Sequence, residues 1–184
     1  MTGKEDIYYV RMIKAGDQQA FTPLVRRYQG MIFSLIRRIV ENAEDAEDIT
    51  QEVFVKIFQS IHRFREESDF STWIYRIAYN TAISELRKRR HDCLSLDEHV
   101  TGAEEEELAV AEESATKEEQ LRLLEDLLTR LPAADALLIT MYYLDEKSIR
   151  EISRITGLSE SNIKVKLHRI RKFLNFELNK LLQA

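Results

Sequence analysis

The chain has 184 residues, 44% hydrophobic and 32% charged, with a formal net charge of −5. That length suits one ordinary domain or two small ones, and five glycines, two prolines and no sustained β-branched alternation argue against a β-fold. The single Cys93 excludes an internal disulfide, no second thiol stands at a metal-ligand spacing, and no apolar run nears the roughly 20 residues of a membrane span. Met1 is followed by Thr-Gly-Lys-Glu-Asp rather than an apolar leader, so the expectation is a soluble, cytoplasmic protein with no metal, no cofactor and no membrane insertion. The charge is unevenly spread. Residues 92–119 hold eleven acids against one base, whereas residues 147–180 hold nine Lys or Arg against three acids. An acidic middle masks a basic C-terminal end.

In chain order, residues 6–15 carry Ile7, Val10, Met12 and Ile13 and read as a short amphipathic helix closed by Gly16. Asp17 can cap a second helix with Phe21, Leu24, Val25, Tyr28, Ile32, Leu35, Ile36 and Ile39 on its apolar face. Pro23 either sits in its first turn or kinks it. A third helix is expected over residues 43–62, with Ile49, Val53, Ile57 and Ile61 inward. Asp45, Asp48, Gln51 and Glu52 fall mostly on another face. Acids near a helix start also suit its dipole, so on charge pattern alone a solvated face is the simpler reading.

The segment FREESD at 64–69 breaks the period and reads as a loop. A fourth helix follows from about 71 to 90, with Trp73, Ile74, Ile77, Ala78, Ala82 and Leu86 inward and Arg76, Tyr79, Asn80 and Ile83 largely elsewhere. It ends in Arg87-Lys88-Arg89-Arg90, cations that a helix C-terminus favours. Residues 92–116 lose the apolar period and include the block Glu104–Glu107. They read as an acidic flexible linker between an N-terminal helical domain (1–91) and a C-terminal one (117–184). The fold expected is all-α.

Past the linker, Leu121, Leu124, Leu127, Leu128 and Leu131 define a helix that Pro132 stops, and the next helix carries Leu137, Leu138, Met141 and Tyr142. Ile149, Ile152 and Ile155 then line a short helix, Gly157 can close it in the left-handed region, and Ser159 can cap its successor. Ile163, Leu167, Ile170 and Leu174 recur at helical steps, completing a helix-turn-helix. Ser161, Val165, His168, Arg169 and Lys172 face outward, with Asn162 and Lys164 beside them. Short polar groups near the helix start can reach base edges while the cations neutralise phosphates, which favours DNA over a protein-packing hairpin.

Together these stretches strongly resemble a bacterial sigma factor of the extracytoplasmic-function (ECF) group, sigma-70 family. The resemblance rests on DAEDITQEVFVKIFQSIHRF at 45–64, FREESDFSTWIYRIAYNTAISELRKRR at 64–90 and GLSESNIKVKLHRIRKFL at 157–174. It implies a transcription initiation factor that binds core RNA polymerase and directs it to promoters. Asp45, Asp48, Gln51 and Glu52 would grip the polymerase clamp. Phe64, Arg65, Ser68, Phe70 and Ser71 would capture an unstacked base of the minus-ten element. Trp73, Arg76, Tyr79, Asn80, Arg87 and Lys88 would follow the single strand and adjoining duplex. Ser159, Ser161, Asn162, Lys164, Val165, His168, Arg169 and Lys172 would read the minus-thirty-five element. The resemblance also implies a membrane-bound anti-sigma partner and a chain that is monomeric without partners. Two departures stand out: Lys166 where the family often has Arg, and Glu66-Glu67 where its loop often has Gly or Asp.

Two other classes compete. A stand-alone helix-turn-helix regulator would need a dimer to read paired half-sites, and no dimer helix is evident. An enzyme is disfavoured because His62, His91, His99 and His168 are scattered and neither a nucleophile elbow nor a glycine-rich phosphate loop occurs.

Overall fold

The computed structural model describes residues 2–40, 42–92 and 117–182. Among these residues the chain forms eight α-helices and no strand: α1 (Thr2–Lys14), α2 (Phe21–Arg37), α3 (Ala43–Ser60), α4 (Phe70–Asp92), α5 (Lys117–Arg130), α6 (Ala133–Tyr143), α7 (Ile149–Thr156) and α8 (Glu160–Leu182). The all-α expectation holds. Of the acidic linker expected at 92–116, Asp92 ends α4 and residues 93–116 lie outside the described residues.

The first four helices pack as one unit. Asp6 of α1 is buried at 2% exposure. It accepts a hydrogen bond from the Tyr28 hydroxyl and an ion pair from Arg27, whose other nitrogen reaches Glu5 at 2.7 Å. A carboxylate buried without such partners would be costly; with them it staples α1 to α2. Asp17 caps a different element from the one its position suggests. Its side chain accepts from the Gln19 amide (3.0 Å) and opens a 3-10 turn at Gln18–Ala20, after which α2 starts at Phe21. Pro23 therefore sits in the first turn of an uninterrupted helix, where its missing donor costs nothing. Asn42 caps α3 by accepting from the amides of Glu44 and Asp45. That helix ends at Ser60, before the expected 62, and a 3-10 turn at Ile61–Arg63 leads into the loop.

In the second unit, Ser148 and Glu151 form a complete capping box at the start of α7. Gly157 closes α7 with φ +77°, a region in which only glycine is unstrained. Ser159 then accepts from the Asn162 amide at 3.2 Å to open α8. Ser153 donates to the Leu158 carbonyl (2.6 Å), which locks the turn between them.

The two units share one apolar core, with α7 laid along α4. Tyr75 is outside the inward stripe expected of α4, yet it is only 1% exposed. Its hydroxyl donates to Asp145 Oδ2 at 2.7 Å, and the Lys147 ammonium lies 5.2 Å from its ring centre. Burial, then the Asp145 carboxylate, push the Tyr75 phenol well above its ordinary range. Arg38 of α2 adds a 2.6 Å hydrogen bond to the Thr140 hydroxyl of α6. No described helix is long and apolar enough to cross a membrane.

Candidate nucleic-acid and protein interfaces

At the start of α3, Asp48, Gln51 and Glu52 are exposed and Asp45 is half-buried. Their spacings of three and four place them on one side of the helix while Ile49, Val53 and Ile57 go to the core. Glu52 is internally balanced by Lys56 at 2.7 Å. Beside them a shallow groove of about 380 Å³ runs between α2 and α3, lined by Gln29, Gly30 and Phe33 against Glu47, Thr50 and Gln51. Nothing local in the sequence pointed to the α2 half of this groove.

Loop 64–69 is held at its base by aromatic rings. Phe64 and Phe70 are 2% and 1% exposed. Phe64 meets Phe70 edge-on at 5.3 Å and Trp73 at 5.4 Å, Phe70 stacks on Trp73 at 5.7 Å, and Tyr28 closes the cluster against Phe70. Such pairs contribute about 0.5–1.5 kcal/mol each beyond area burial. The Phe64 and Phe70 rings pack into the core and anchor the loop, and Phe64 also lines the cleft beside it. Trp73 keeps partial exposure and walls a cleft of about 310 Å³. Four arginines line it, Arg63, Arg65 and Arg76 with Arg154 of α7, alongside Ser68 and one acid, Glu67. Ser71 is half-buried at the first turn of α4.

Glu66 is turned the other way. It has φ +59°, unusual for a residue with a Cβ. The fork of Arg11 donates to both of its carboxylate oxygens, Nη2 to Oε2 at 2.9 Å and Nε to Oε1 at 3.2 Å. That fork holds the Glu66 carboxyl below the usual carboxylate range. One turn further along α1, Lys14 donates to the Phe64 carbonyl at 2.6 Å. Of the two loop acids, Glu66 is thus paired with Arg11, while Glu67 lines the cleft.

Along α4, Arg76, Asn80, Arg87 and Lys88 are exposed and Tyr79 is half-buried, with burial pushing its phenol up. Lys88 is tied to Glu85 on its own helix. A second polar groove of about 520 Å³ lies between α3 and α4, where Lys56, Gln59 and Arg63 face Asn80 and Ser84. On α8, Ser159 lies just before the helix, and Ser161, Asn162, Lys164, Val165, His168, Arg169 and Lys172 are all exposed, as the apolar stripe requires. Val165 is 47% exposed, an apolar side chain with no packing role. Lys166 is different: it pairs with Asp135 of α6 at 2.9 Å and braces the motif from behind. Among the described residues no cluster of His, Cys, Asp or Glu could hold a metal ion.

Residues 24–91 match the family model Sigma-70 region 2, and residues 121–174 match Sigma-70, region 4. Over 180 residues the chain is 32% identical to the ECF RNA polymerase sigma factor SigW of Bacillus subtilis (strain 168), covering 94% of this chain and 96% of that one. The chain belongs to the ECF RNA polymerase sigma factors. It is also 32% identical over 185 residues to the ECF RNA polymerase sigma-E factor of Escherichia coli (strain K12), covering 97% and 96% of the two chains. In fold it resembles CnrH, solved in complex with the cytosolic domain of CnrY, with a TM-score of 0.69 at 20% identity over 96% of this chain and 98% of that one. It also resembles the RpoE of Bartonella quintana, solved with the anti-sigma factor NepR, with a TM-score of 0.64 at 21% identity over 87% and 96%.

Membership makes this sigma factor a promoter-directing initiation factor and no enzyme, and it removes the stand-alone regulator as an alternative. Within the sigma factor, sequence reasoning missed Arg63 and Arg154 at the cleft and Lys56 at the neighbouring groove. Arg63 was within reach of notice, as a cation beside the loop. Arg154 was not, because its place depends on α7 meeting α4.

Proposed function

We propose that this sigma factor binds core polymerase through Asp45, Asp48, Gln51 and Glu52, and opened minus-ten DNA through the cleft and the outer face of α4. In this reading domain 1–91 carries both tasks, 92–116 is the connecting segment, and 117–184 reads the minus-thirty-five element through Ser159 to Lys172 on and before α8. The observation that carries it is the cleft itself. Arg63, Arg65 and Arg76 line it together with the partly exposed Trp73, cations for the phosphates and one aromatic ring for a base. An extruded base loses a few kcal/mol of stacking and pairing, and a stacking contact returns about 1–3 kcal/mol. With Phe64 and Phe70 buried, Arg65, Ser68 and Trp73 are the loop groups left to make that contact.

An anti-sigma partner belongs to the same proposal. Of two proteins of similar fold, RpoE was solved with the anti-sigma factor NepR and CnrH with the cytosolic domain of CnrY. Tyr142, Tyr143 and Leu144 at the end of α6, and Phe173 and Phe176 on α8, are exposed apolar groups that a protein partner would cover. The compartment proposed is the cytoplasm, where polymerase and DNA are.

The test is reconstitution. Core polymerase with this chain should initiate run-off transcripts from specific promoters, whereas core polymerase without it should not. Charge reversal at Asp48 and Glu52 should abolish capture of core polymerase while the helical circular-dichroism signal stays intact. Undiminished capture by that variant would overturn the α3 assignment.

A further inference from the structure

Arg11 and Lys14 stand three residues apart on one face of α1, and they reach the same loop 55 and 50 residues away. Arg11 takes the Glu66 carboxylate with a two-point fork, and Lys14 takes the Phe64 carbonyl while its ammonium lies 5.9 Å from the Phe64 ring centre. The loop's exposed middle is thus sorted onto two sides. Arg65, Glu67 and Ser68 line the cleft, and Glu66, in its left-handed conformation, is drawn out of it toward α1.

The Arg11–Glu66 pair is solvent-exposed, with side chains 68% and 36% accessible. Exposed pairs add little to stability. What the pair does do is local. It fixes the direction of a strained residue in the middle of a short loop, and it cancels a negative charge beside the place where a phosphate chain would run. Lys14 fixes the loop's entry, and the rings of Phe64, Phe70 and Trp73 fix its base. A loop held at three points has less conformational freedom to lose when a ligand binds.

We propose that Arg11 and Lys14 are positioning residues for minus-ten recognition: they preform loop 64–71 and mask Glu66 before the strand arrives. This rests on the reading above that the loop receives an unstacked base. It explains how a chain with Glu66 and Glu67 in that loop can still accept a polyanion.

The experiment uses the full chain assembled with core polymerase and a fork-junction DNA carrying 2-aminopurine at the unstacked position, with each base tried beside it. Arg11→Ala should weaken fork-junction binding by roughly fivefold or more, since one stacked base is worth at least that much. It should also flatten the preference among bases, while binding of core polymerase and of minus-thirty-five duplex stays unchanged. Glu66→Gly, which removes the charge and suits the left-handed backbone, should restore binding to the Arg11→Ala protein. So should the exchange Arg11→Glu with Glu66→Arg. A merely structural role for Arg11 would not be rescued by deleting its partner. Lys14→Met should slow the appearance of the 2-aminopurine signal.

Arg65→Ala and Ser68→Ala report on the loop reading alone. If they weaken fork-junction binding while Arg11→Ala and Lys14→Met do nothing, the positioning role is overturned and the loop reading stands. If none of the four changes binding or base preference, both fall.

Discussion

The Tyr75 hydroxyl and the Asp145 carboxylate, 70 residues apart and in different regions of the chain, meet at 2.7 Å where α4 and α7 close on each other. Tyr75→Phe keeps the ring and removes the donor, leaving a half-buried carboxylate short of one partner. It should lower the stability of the joined units by about 1–2 kcal/mol. Urea unfolding followed by tyrosine and tryptophan fluorescence measures this; an unchanged midpoint would show that the hydrogen bond contributes nothing in solution.

A second prediction concerns α1. Asp6→Ala removes the acceptor that serves both the Tyr28 hydroxyl and the Arg27 guanidinium. Because Arg27 retains partial access to water and to Glu5, the cost should be about 2–3 kcal/mol, below that of a fully buried pair. Thermal unfolding monitored by circular dichroism reads it directly.

Gly157→Ala tests the turn before α8. No atom lies within 4 Å of the position a Cβ would take, so any penalty is conformational. Placing alanine at φ +77° should cost about 1–2 kcal/mol and loosen the angle between α7 and α8. Loss of minus-thirty-five affinity in step with stability is the expected result of a fluorescence-anisotropy titration.

For the recognition helix, two substitutions should behave differently. Arg169→Ala should weaken binding on every duplex alike and reduce the magnitude of the salt slope by about 0.9. Asn162→Ala should leave the salt slope alone and lose about 1–3 kcal/mol of discrimination at one base pair. Equal effects of the two on specificity would contradict the division between base-reading and phosphate-holding residues.

The Arg11–Glu66 fork also has a pH signature. The Glu66 carboxyl is held below its ordinary range, chiefly by the hydrogen bond from Arg11. The folded value is therefore below the unfolded one, and the contact's contribution is present above the usual carboxylate range and lost as pH falls through the lowered folded value. The Glu66 side-chain carboxyl resonance should titrate below the ordinary carboxylate range. In Arg11→Ala the Glu66 titration should rise toward the ordinary carboxylate range.

The helices were legible because each buries a stripe at steps of three and four. The α8 surface was legible for the same reason turned outward: once Ile163, Leu167, Ile170 and Leu174 are placed, Ser161, Val165 and Arg169 have nowhere to go but solvent. The capping box of Ser148 and Glu151 is readable from its spacing. Tyr75 was not readable. Its burial comes with the packing of α7 on α4, and no periodicity on α4 encodes a partner beyond a 25-residue acidic stretch. The packing of Phe64 and Phe70 was hidden for a related reason. Aromatics flanking a polar loop look available, and only the approach of Tyr28 and Trp73 shows that they pack into the core. Arg11 could not be assigned at all, since an ion pair across 55 residues leaves no local trace.

The packing of α7 on α4 sets a geometric conflict with promoter binding. Elements named for positions about 25 base pairs apart are separated by about 85 Å of B-form duplex. A folded chain of this length has a radius of gyration of about 16 Å, so in the clasped form its two ends fall far short of that span. On the proposed reading that α4 and α8 engage the two elements at once, the clasp of Tyr75 and Asp145 has to come undone. Whatever free energy that clasp holds is subtracted from promoter affinity, a factor of ten for every 1.4 kcal/mol. The strength of one interhelical seam thus fixes how much work polymerase must contribute before this chain can read a promoter at all.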